Sequence, residues 1–513
     1  MDNFWEDFET GEIHQRDKWQ FELKSDFIPS PSQENNVFIQ EFFIFIPSSL
    51  QINDQTYSKA RFYEDQTNLI RFKTPEFSFD ELLNPRATNS PLIRLKEYER
   101  PLLDDEDQIA FEREVKLFAN VFRSTLRDEA HKLIQHFVNA STAEELQRIH
   151  EDIEQLLFKA EKAIESYQKE EKALRYFRKS EDDEKLFGYV SDFLSISLNY
   201  SLSALLESIR KRRLPEMQNL DETLCKILQR EKKYRETRQL EPAQLQEDSP
   251  QNESILYQSG LLNKFFIDVL LLNTSRAAID QKYHKIIGGF AAAIAMSVYV
   301  LLFVWQGAIF VINSEPFILL TVLLYVLKDR LKDELKAISF NQAFRWFSDY
   351  KTEIVAPSGQ FIIGELKESF SFIDEKKVPA EIKKVRSQEF HSYLETISRP
   401  ERVIYYKKTI NIFQNTHRKA PPRLNALNII FRYDIHRFLT KASDPYEPRA
   451  ALDGETLELT HHMLPKIYHI NIILKNSLVL PDGTTQEELR KFRLVIDKDG
   501  IKRVENIVAN GRR

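Results

Sequence analysis

Three kinds of hydrophobic pattern follow one another along the chain. Residues 37–46 (VFIQEFFIFI) and 68–73 (NLIRFK) are short, aromatic and β-branched, and Pro47 and Pro75 close them. That pattern predicts strands, and with the prolines around them it predicts a β-rich N-terminal unit over residues 1–95. From about 104 to 239 the period changes. Phe111, Val115, Phe118, Phe122, Leu126, Ala130, Leu133 and Phe137 recur at spacings of three and four, which is one apolar face of a long helix. Ser141 with Glu144 reads as a capping box ahead of a second stripe, Leu146 to Tyr167. A third stripe runs from Leu186 to Ile209. Such stripes predict a long antiparallel helical bundle or coiled-coil hairpin. Residues 240–254 are polar, hold two prolines and read as a linker, and 255–285 read as one amphipathic helix.

The third pattern is a run of 27 uncharged residues, 286–312 (IIGGFAAAIAMSVYVLLFVWQGAIFVI). A hydrocarbon core of about 30 Å needs roughly 20 apolar residues in a helix, so this run is long enough to cross. A second apolar run, 316–327 (PFILLTVLLYVL), has twelve residues and is short for a crossing. Together, 286–327 predict a transmembrane helical hairpin. Its turn falls either near Gln306 and Gly307 or at 313–315, the latter with local thinning or a partner to help the short return. A single pass, with 316–327 along the interface, is the alternative. Arg276, Lys282 and Lys285 precede the hairpin; Lys328, Arg330, Lys332, Lys336 and Arg345 follow it. Basic flanks stay cytoplasmic, so the expected topology is two passes with both termini on the cytoplasmic side. Residues 328–350 read as a helical stalk.

Beyond it the chain returns to strands. Residues 352–513 form a β-rich C-terminal domain, with strand patterns at 403–413, 428–435, 466–474 and 492–496. Pro357-Ser358-Gly359, Asp453-Gly454, Asp482-Gly483 and Asp499-Gly500 signal turns. Residues 379–397 read as a helix with Pro at its start. The first and last β-rich stretches lie on one side of the membrane in this topology and are able to share a sheet system. The fold class expected is therefore an α+β integral membrane protein.

Composition narrows the chemistry. Only 12 of 513 residues are Gly, and no G-x-x-x-x-G-K-[ST], G-x-S-x-G or C-x-x-C occurs. Phosphate loops, serine-hydrolase elbows and thiolate zinc sites lose their signatures, and no cofactor or metal is implied. Cys225 is the single cysteine, which suits a reducing compartment. His150-Glu151-x-x-Glu154 lacks the second histidine of a zinc helix. Asp128 and His131 make one carboxylate–histidine pair where a di-iron bundle needs two, and His461 and His462 point to opposite faces of a strand. A net charge of −6 gives no attraction to nucleic acid, which is not an expected partner.

Basic clusters at Arg210, Lys211, Arg212, Arg213 and at Lys232, Lys233 are candidates for contact with anionic lipid headgroups, each cation being worth about 1 kcal/mol. Gly288, Gly289 and Ala292 are candidates for helix packing in the membrane, and Glu315 is the intramembrane polar candidate. The function expected from these features is a membrane-anchored interaction or scaffold protein. Its cytoplasmic domains would dock a protein partner, a second copy or anionic lipid of the bilayer. A membrane-surface enzyme with a scattered site and an accessory subunit of a channel or transporter are the alternatives.

Overall fold

The computed structural model describes residues 13–101, 105–241, 250–278, 280–311, 314–343, 348–357, 361–388, 401–413, 423–452 and 459–507. The chain is a mixed α+β protein with long helices between β-rich ends. Its N-terminal part gives β1 (Ile13–Gln15), β2 (Gln20–Phe27), β3 (Asn35–Pro47), α1 (Lys59–Asp65), β4 (Gln66–Phe72), α2 (Phe79–Leu83) and α3 (Pro91–Arg94). The long helices follow: α4 (Asp105–Asn139), α5 (Ala143–Phe177), α6 (Glu181–Arg212), α7 (Gln218–Thr237) and α8 (Pro250–Ile267). Next come β5 (Asn273–Ala278), α9 (Asp280–Ile309), α10 (Glu315–Ala343), β6 (Tyr350–Val355), β7 (Ile362–Ile373) and α11 (Ala380–Arg386). The last strands are β8 (Glu401–Phe413), β9 (Leu427–Asp434), β10 (Tyr446–Leu452), β11 (Leu459–Pro465), β12 (Tyr468–Val479), β13 (Thr485–Asp497) and β14 (Gly500–Ile507).

The strands make an antiparallel sandwich to which both ends of the chain contribute. One sheet has the order β14-β13-β12-β3-β8-β7-β6-β5, so N-terminal β3 lies between C-terminal β12 and β8; the other has the order β1-β2-β9-β4. The first and last β-rich stretches thus form one sheet system, with the helices inserted between them. Alternating positions fill its interior: Phe42, Ile44 and Ile46 on β3, Ile404 and Tyr406 on β8, and Ile472 and Leu474 on β12 share a core with Phe21, Leu23, Phe431 and Tyr433. The β10–β11 ribbon stands apart, with every residue of both strands exposed.

Helices α4 to α7 form the antiparallel bundle, and α4 seats it on the sandwich. Phe111, Val115, Phe118 and Phe122 of α4 join Phe27, Phe38, Ile70 and Phe72 in one continuous core. Glu114 and Arg423 form a buried ion pair across this junction. The capping box before α5 is made by Thr142 and Glu145, one residue beyond the pair expected at Ser141 and Glu144.

Four expected elements differ. Residues 255–285 are not one helix: α8 ends at Ile267, and residues 273–278 become β5 because they complete the sheet edge beside β6. The stretch read as a linker is already helical from Pro250. The stalk's last residue, Tyr350, begins β6, and the helix expected at 379–397 ends at Arg386, with 389–397 outside the described residues.

Close approach explains one glycine. Gly500 has φ +144°, and a Cβ there would sit 2.2 Å from the Lys18 carbonyl oxygen, which accepts the Ile501 amide at 2.7 Å. Gly500→Ala is expected to cost about 1–3 kcal/mol, seen as a lower thermal unfolding midpoint.

Candidate functional site

Helices α9 and α10 form an antiparallel hairpin inserted between the neighbouring strands β5 and β6. The 21-residue stretch Gly289–Ile309 is long and apolar enough to cross a membrane, and among the described residues it is the one helix that is. The chain turns between Ile309 and Glu315, as in the second of the two geometries expected, and Glu315 opens α10 at the tip. Inside the hairpin, Ala291, Ala295 and Gln306 of α9 are buried, with Phe317 and Leu324 of α10. Gln306 Nε2 donates to the Phe317 carbonyl at 2.5 Å and to Thr321 Oγ1 at 2.9 Å on the facing helix, while its buried Oε1 has no hydrogen-bond partner among the described residues. Between membrane helices such bonds hold by about 0.6–2 kcal/mol.

The small residues that close the hairpin are Ala291 and Ala295. Gly289 is exposed, and a methyl added there meets nothing within 4 Å; Ala292 is half-buried, and the surroundings of Gly288 lie outside what is described. Outward, large apolar side chains cover both helices: Leu301 71% exposed, Val304 66%, Trp305 61%, Leu319 70% and Val322 60%. A contiguous face of this kind marks an interaction surface.

The hairpin stands on a buried polar network. Arg276 on β5 reaches Glu368 Oε2 on β7 at 3.4 Å and stacks over the Tyr350 ring at 3.9 Å. Glu368 is 2% exposed, and its Oε1 accepts from Gln66 at 3.0 Å, Asn68 at 2.7 Å and Tyr406 at 2.5 Å. Next to β6, Asp349 pairs with Lys59 and accepts from Tyr63 OH at 2.9 Å and the Phe370 amide at 2.8 Å. Both strands that carry the hairpin are thereby tied into the sandwich by ionised groups.

Lys408 on β8 lies one layer deeper, fully buried between the Phe42 and Phe431 rings, and donates to Asn68 Oδ1 at 3.3 Å. Burial pushes its ammonium down to about 7, against the pull of Glu368. An unfolded lysine titrates near 10.4, so between about pH 7 and 10 the unfolded chain holds the extra proton. Stability is therefore expected to rise with pH across that window, by up to about 1.4 kcal/mol per unit. The buried Tyr406 and Tyr433, whose hydroxyls burial raises, reverse the trend above about pH 10. Lys408→Met is expected to remove the rise, read as unfolding midpoints across the pH range.

A cleft of about 1040 Å³ lies where β2, β4 and β9 meet α4. Lys24, Arg71, Lys73, Arg123, Arg127, Lys132 and Arg490 line it, with Asp26, Glu76, Glu81, Asp128 and Glu129 among them. Several of these cations are already engaged: Lys73 bridges to Asp26 and Glu76, and Arg127 to Asp128. Burial raises the Glu129 carboxyl above its ordinary value.

The cations singled out in the sequence are dispersed. Arg210 forms a bidentate pair with Asp221 and Lys211 pairs with Glu207. Arg212 stacks on Phe137 and donates to the Phe137 and Ala140 carbonyls, capping the end of α4. Arg213 is exposed in a left-handed turn, Lys232 faces Glu236 at 3.7 Å, and Lys233 is exposed. Asp128 and His131 lie on the cleft wall, and His150 bonds to Glu154 on the surface. Among the described residues no group of three or more His, Cys, Asp or Glu is placed to hold a metal ion. No protein family, curated protein or solved structure matches the chain. Functional inference therefore rests on geometry.

The network escaped sequence reasoning, although a signal exists. Ile404, Tyr406, Lys408, Ile410 and Ile412 share one face of β8, as Leu366, Glu368 and Phe370 share one face of β7. A charge in phase with an apolar alternation points into the core.

Proposed function

We propose that the chain is a membrane-anchored interaction protein. The α9–α10 hairpin crosses the bilayer twice, and the sandwich and bundle stand together on the cytoplasmic side, where they dock a protein partner or anionic lipid headgroups. The observation that carries the reading is the hairpin itself: two paired helices whose outward faces are apolar while the buried Gln306 amide turns inward and donates twice to the facing helix. Water is a poor solvent for such a surface, and lipid a good one. Lys282 and Lys285 in the first turns of α9 and Lys328, Arg330, Lys332 and Lys336 in the second half of α10 favour one side for both ends.

The β10–β11 ribbon supports docking of a protein. A two-stranded ribbon with both faces in water is marginal by itself, and this one exposes Tyr446, Leu452, Leu459, Met463 and Leu464. A third strand or an apolar partner surface would complete it. The cleft favours a second reading, an enzyme at the membrane surface, because its volume suits a small ligand. Against it, the strongly perturbed groups Lys408, Tyr406 and Tyr433 lie in the sandwich core and not along the cleft.

Purification of the full chain from native membranes in mild detergent, with mass spectrometry of what accompanies it, separates the two. A stoichiometric second protein is the expected result. Recovery of the chain alone with a retained small molecule would favour the enzyme.

A further inference from the structure

The two arms of the hairpin have unequal apolar lengths, and their register makes the inequality consequential. Gln306 bonds to Phe317 and Thr321, and the Phe303 and Phe317 rings meet edge to face at 5.8 Å. From that point the helices run antiparallel, with Ala295 and Ala291 buried on α9 and Leu324 on α10. By this register Lys328 is level with the turn of α9 that holds Ala295 to Val298. Asp329, Arg330, Lys332, Asp333 and Glu334 follow it on α10, all exposed, beside a stretch of α9 that is still uncharged and shows Phe290 and Ile294 outward. The apolar height common to both arms is that of residues 316–327, twelve residues and about 18 Å at 1.5 Å each.

An ordinary hydrocarbon core is about 30 Å thick. If the tip reaches the far headgroups of such a bilayer, six charges are drawn inside the near boundary, from Lys328 at a depth of about 12 Å to Glu334 at about 3 Å. Each costs up to about 2.5–3.5 kcal/mol at the centre, and short carboxylates cannot snorkel out as Lys and Arg do. If the hairpin instead stops part-way, the Ser314 and Glu315 side chains end in hydrocarbon with no water to satisfy them. Thinning the bilayer costs fractions of a kcal/mol per Å of mismatch, so about 12 Å comes to a few kcal/mol. It leaves both polar ends hydrated. The α9 surplus, with Phe290 and Ile294, then lies in the near headgroup layer.

Resting on the reading of α9–α10 as a membrane hairpin, we propose that this hairpin spans a bilayer it has locally thinned to about 18–20 Å, and that it thereby selects thin membranes. The thinning is a function of the hairpin's shape and is separate from what the soluble parts bind.

The test uses the full chain with Cys225→Ser, carrying either Ser314→Cys at the tip or Asp329→Cys on the near side. Each is reconstituted into dimyristoleoyl-, dioleoyl- or dierucoyl-phosphatidylcholine vesicles. Incorporation by flotation is expected to fall at least about tenfold from the thinnest to the thickest, a difference of about 1.4 kcal/mol. In the thin vesicles, Asp329→Cys is expected to react with an impermeant maleimide added outside, and Ser314→Cys with the same reagent trapped in the lumen. Equal incorporation at every thickness overturns the proposal, as does a Ser314→Cys that reacts only after detergent. A chain that floats with none of the vesicles overturns the membrane reading itself, a result distinguishable from both.

Discussion

Glu368→Ala is expected to lower the stability of the chain by about 2–4 kcal/mol. The carboxylate is 2% exposed and answers four donors: the Arg276 guanidinium, the Gln66 and Asn68 amides and the Tyr406 hydroxyl. Removing it leaves the cation over Tyr350 without its partner and the Gln66 amide without an acceptor, while the Asn68 amide keeps the Tyr406 hydroxyl at 2.7 Å and that hydroxyl falls back on Gln66 Oε1 at 3.5 Å. Hydrogen bonds to a charged acceptor contribute about 1.5–3 kcal/mol each, and the stranded Arg276, 35% exposed, turns to water instead of adding a buried-charge penalty. Glu368→Gln keeps an acceptor for the three donors and loses only the ion pair, so its cost is expected to be the smaller of the two. Thermal unfolding of the full chain in detergent gives the ranking. Hydrogen exchange gives the location: β5 and β6, whose charged ties run through Arg276 and Asp349, are expected to open first. Equal stability of the Ala variant and the parent would mean that the network is not what holds the hairpin to the sandwich.

This network marks the limit of what a linear reading reaches. The central strands β3 and β8 are legible because aromatic and β-branched residues crowd them, and helices α4, α5 and α6 because their stripes persist over many turns. Strand β5 (NTSRAA) has neither signal. It is extended because β6 pairs with it from Asn273–Val355 to Ala278–Tyr350, a contact between residues separated by the whole hairpin. Strand β2 (QFELKSDF) does alternate, with Phe21, Leu23, Ser25 and Phe27 inward, but its charged outer face hides the pattern. Basic clusters fail in the opposite sense. Arg210 and Arg212 look like a binding patch in sequence, yet the fold has set Asp221 and the α4 carbonyls beside them. Whether a cation is available to a ligand depends on neighbours that only tertiary structure supplies. The apolar hairpin needed no such help, because length and hydrophobicity are local properties. The unequal length of its arms is legible too; their register is not local, and only Gln306 set against Phe317 and Thr321 places Lys328 beside the uncharged turn of α9.

Val304→Arg combined with Leu319→Arg is expected to abolish membrane insertion of the hairpin while leaving the soluble parts folded. Val304 is 66% and Leu319 70% exposed, so neither arginine displaces packing within the hairpin. Both positions lie near the tip, on opposite arms, and each arginine would enter hydrocarbon at about 2.5–3.5 kcal/mol on the insertion scale. Leu, Ile, Phe and Val return only about 0.3–0.6 kcal/mol apiece on that scale. Two arginines therefore offset roughly the whole gain from the apolar residues of 316–327, and the short arm loses its reason to return through the bilayer. Alkaline extraction of membranes followed by vesicle flotation reads the result: the parent chain is expected in the membrane fraction and the double variant in the supernatant. Circular dichroism of the released variant separates failed insertion from unfolding, since the sandwich and bundle cores do not include either position. Retention of the double variant in carbonate-washed membranes would show that something other than the hairpin holds the chain there. The cleft and the β10–β11 ribbon would then become the surfaces to examine.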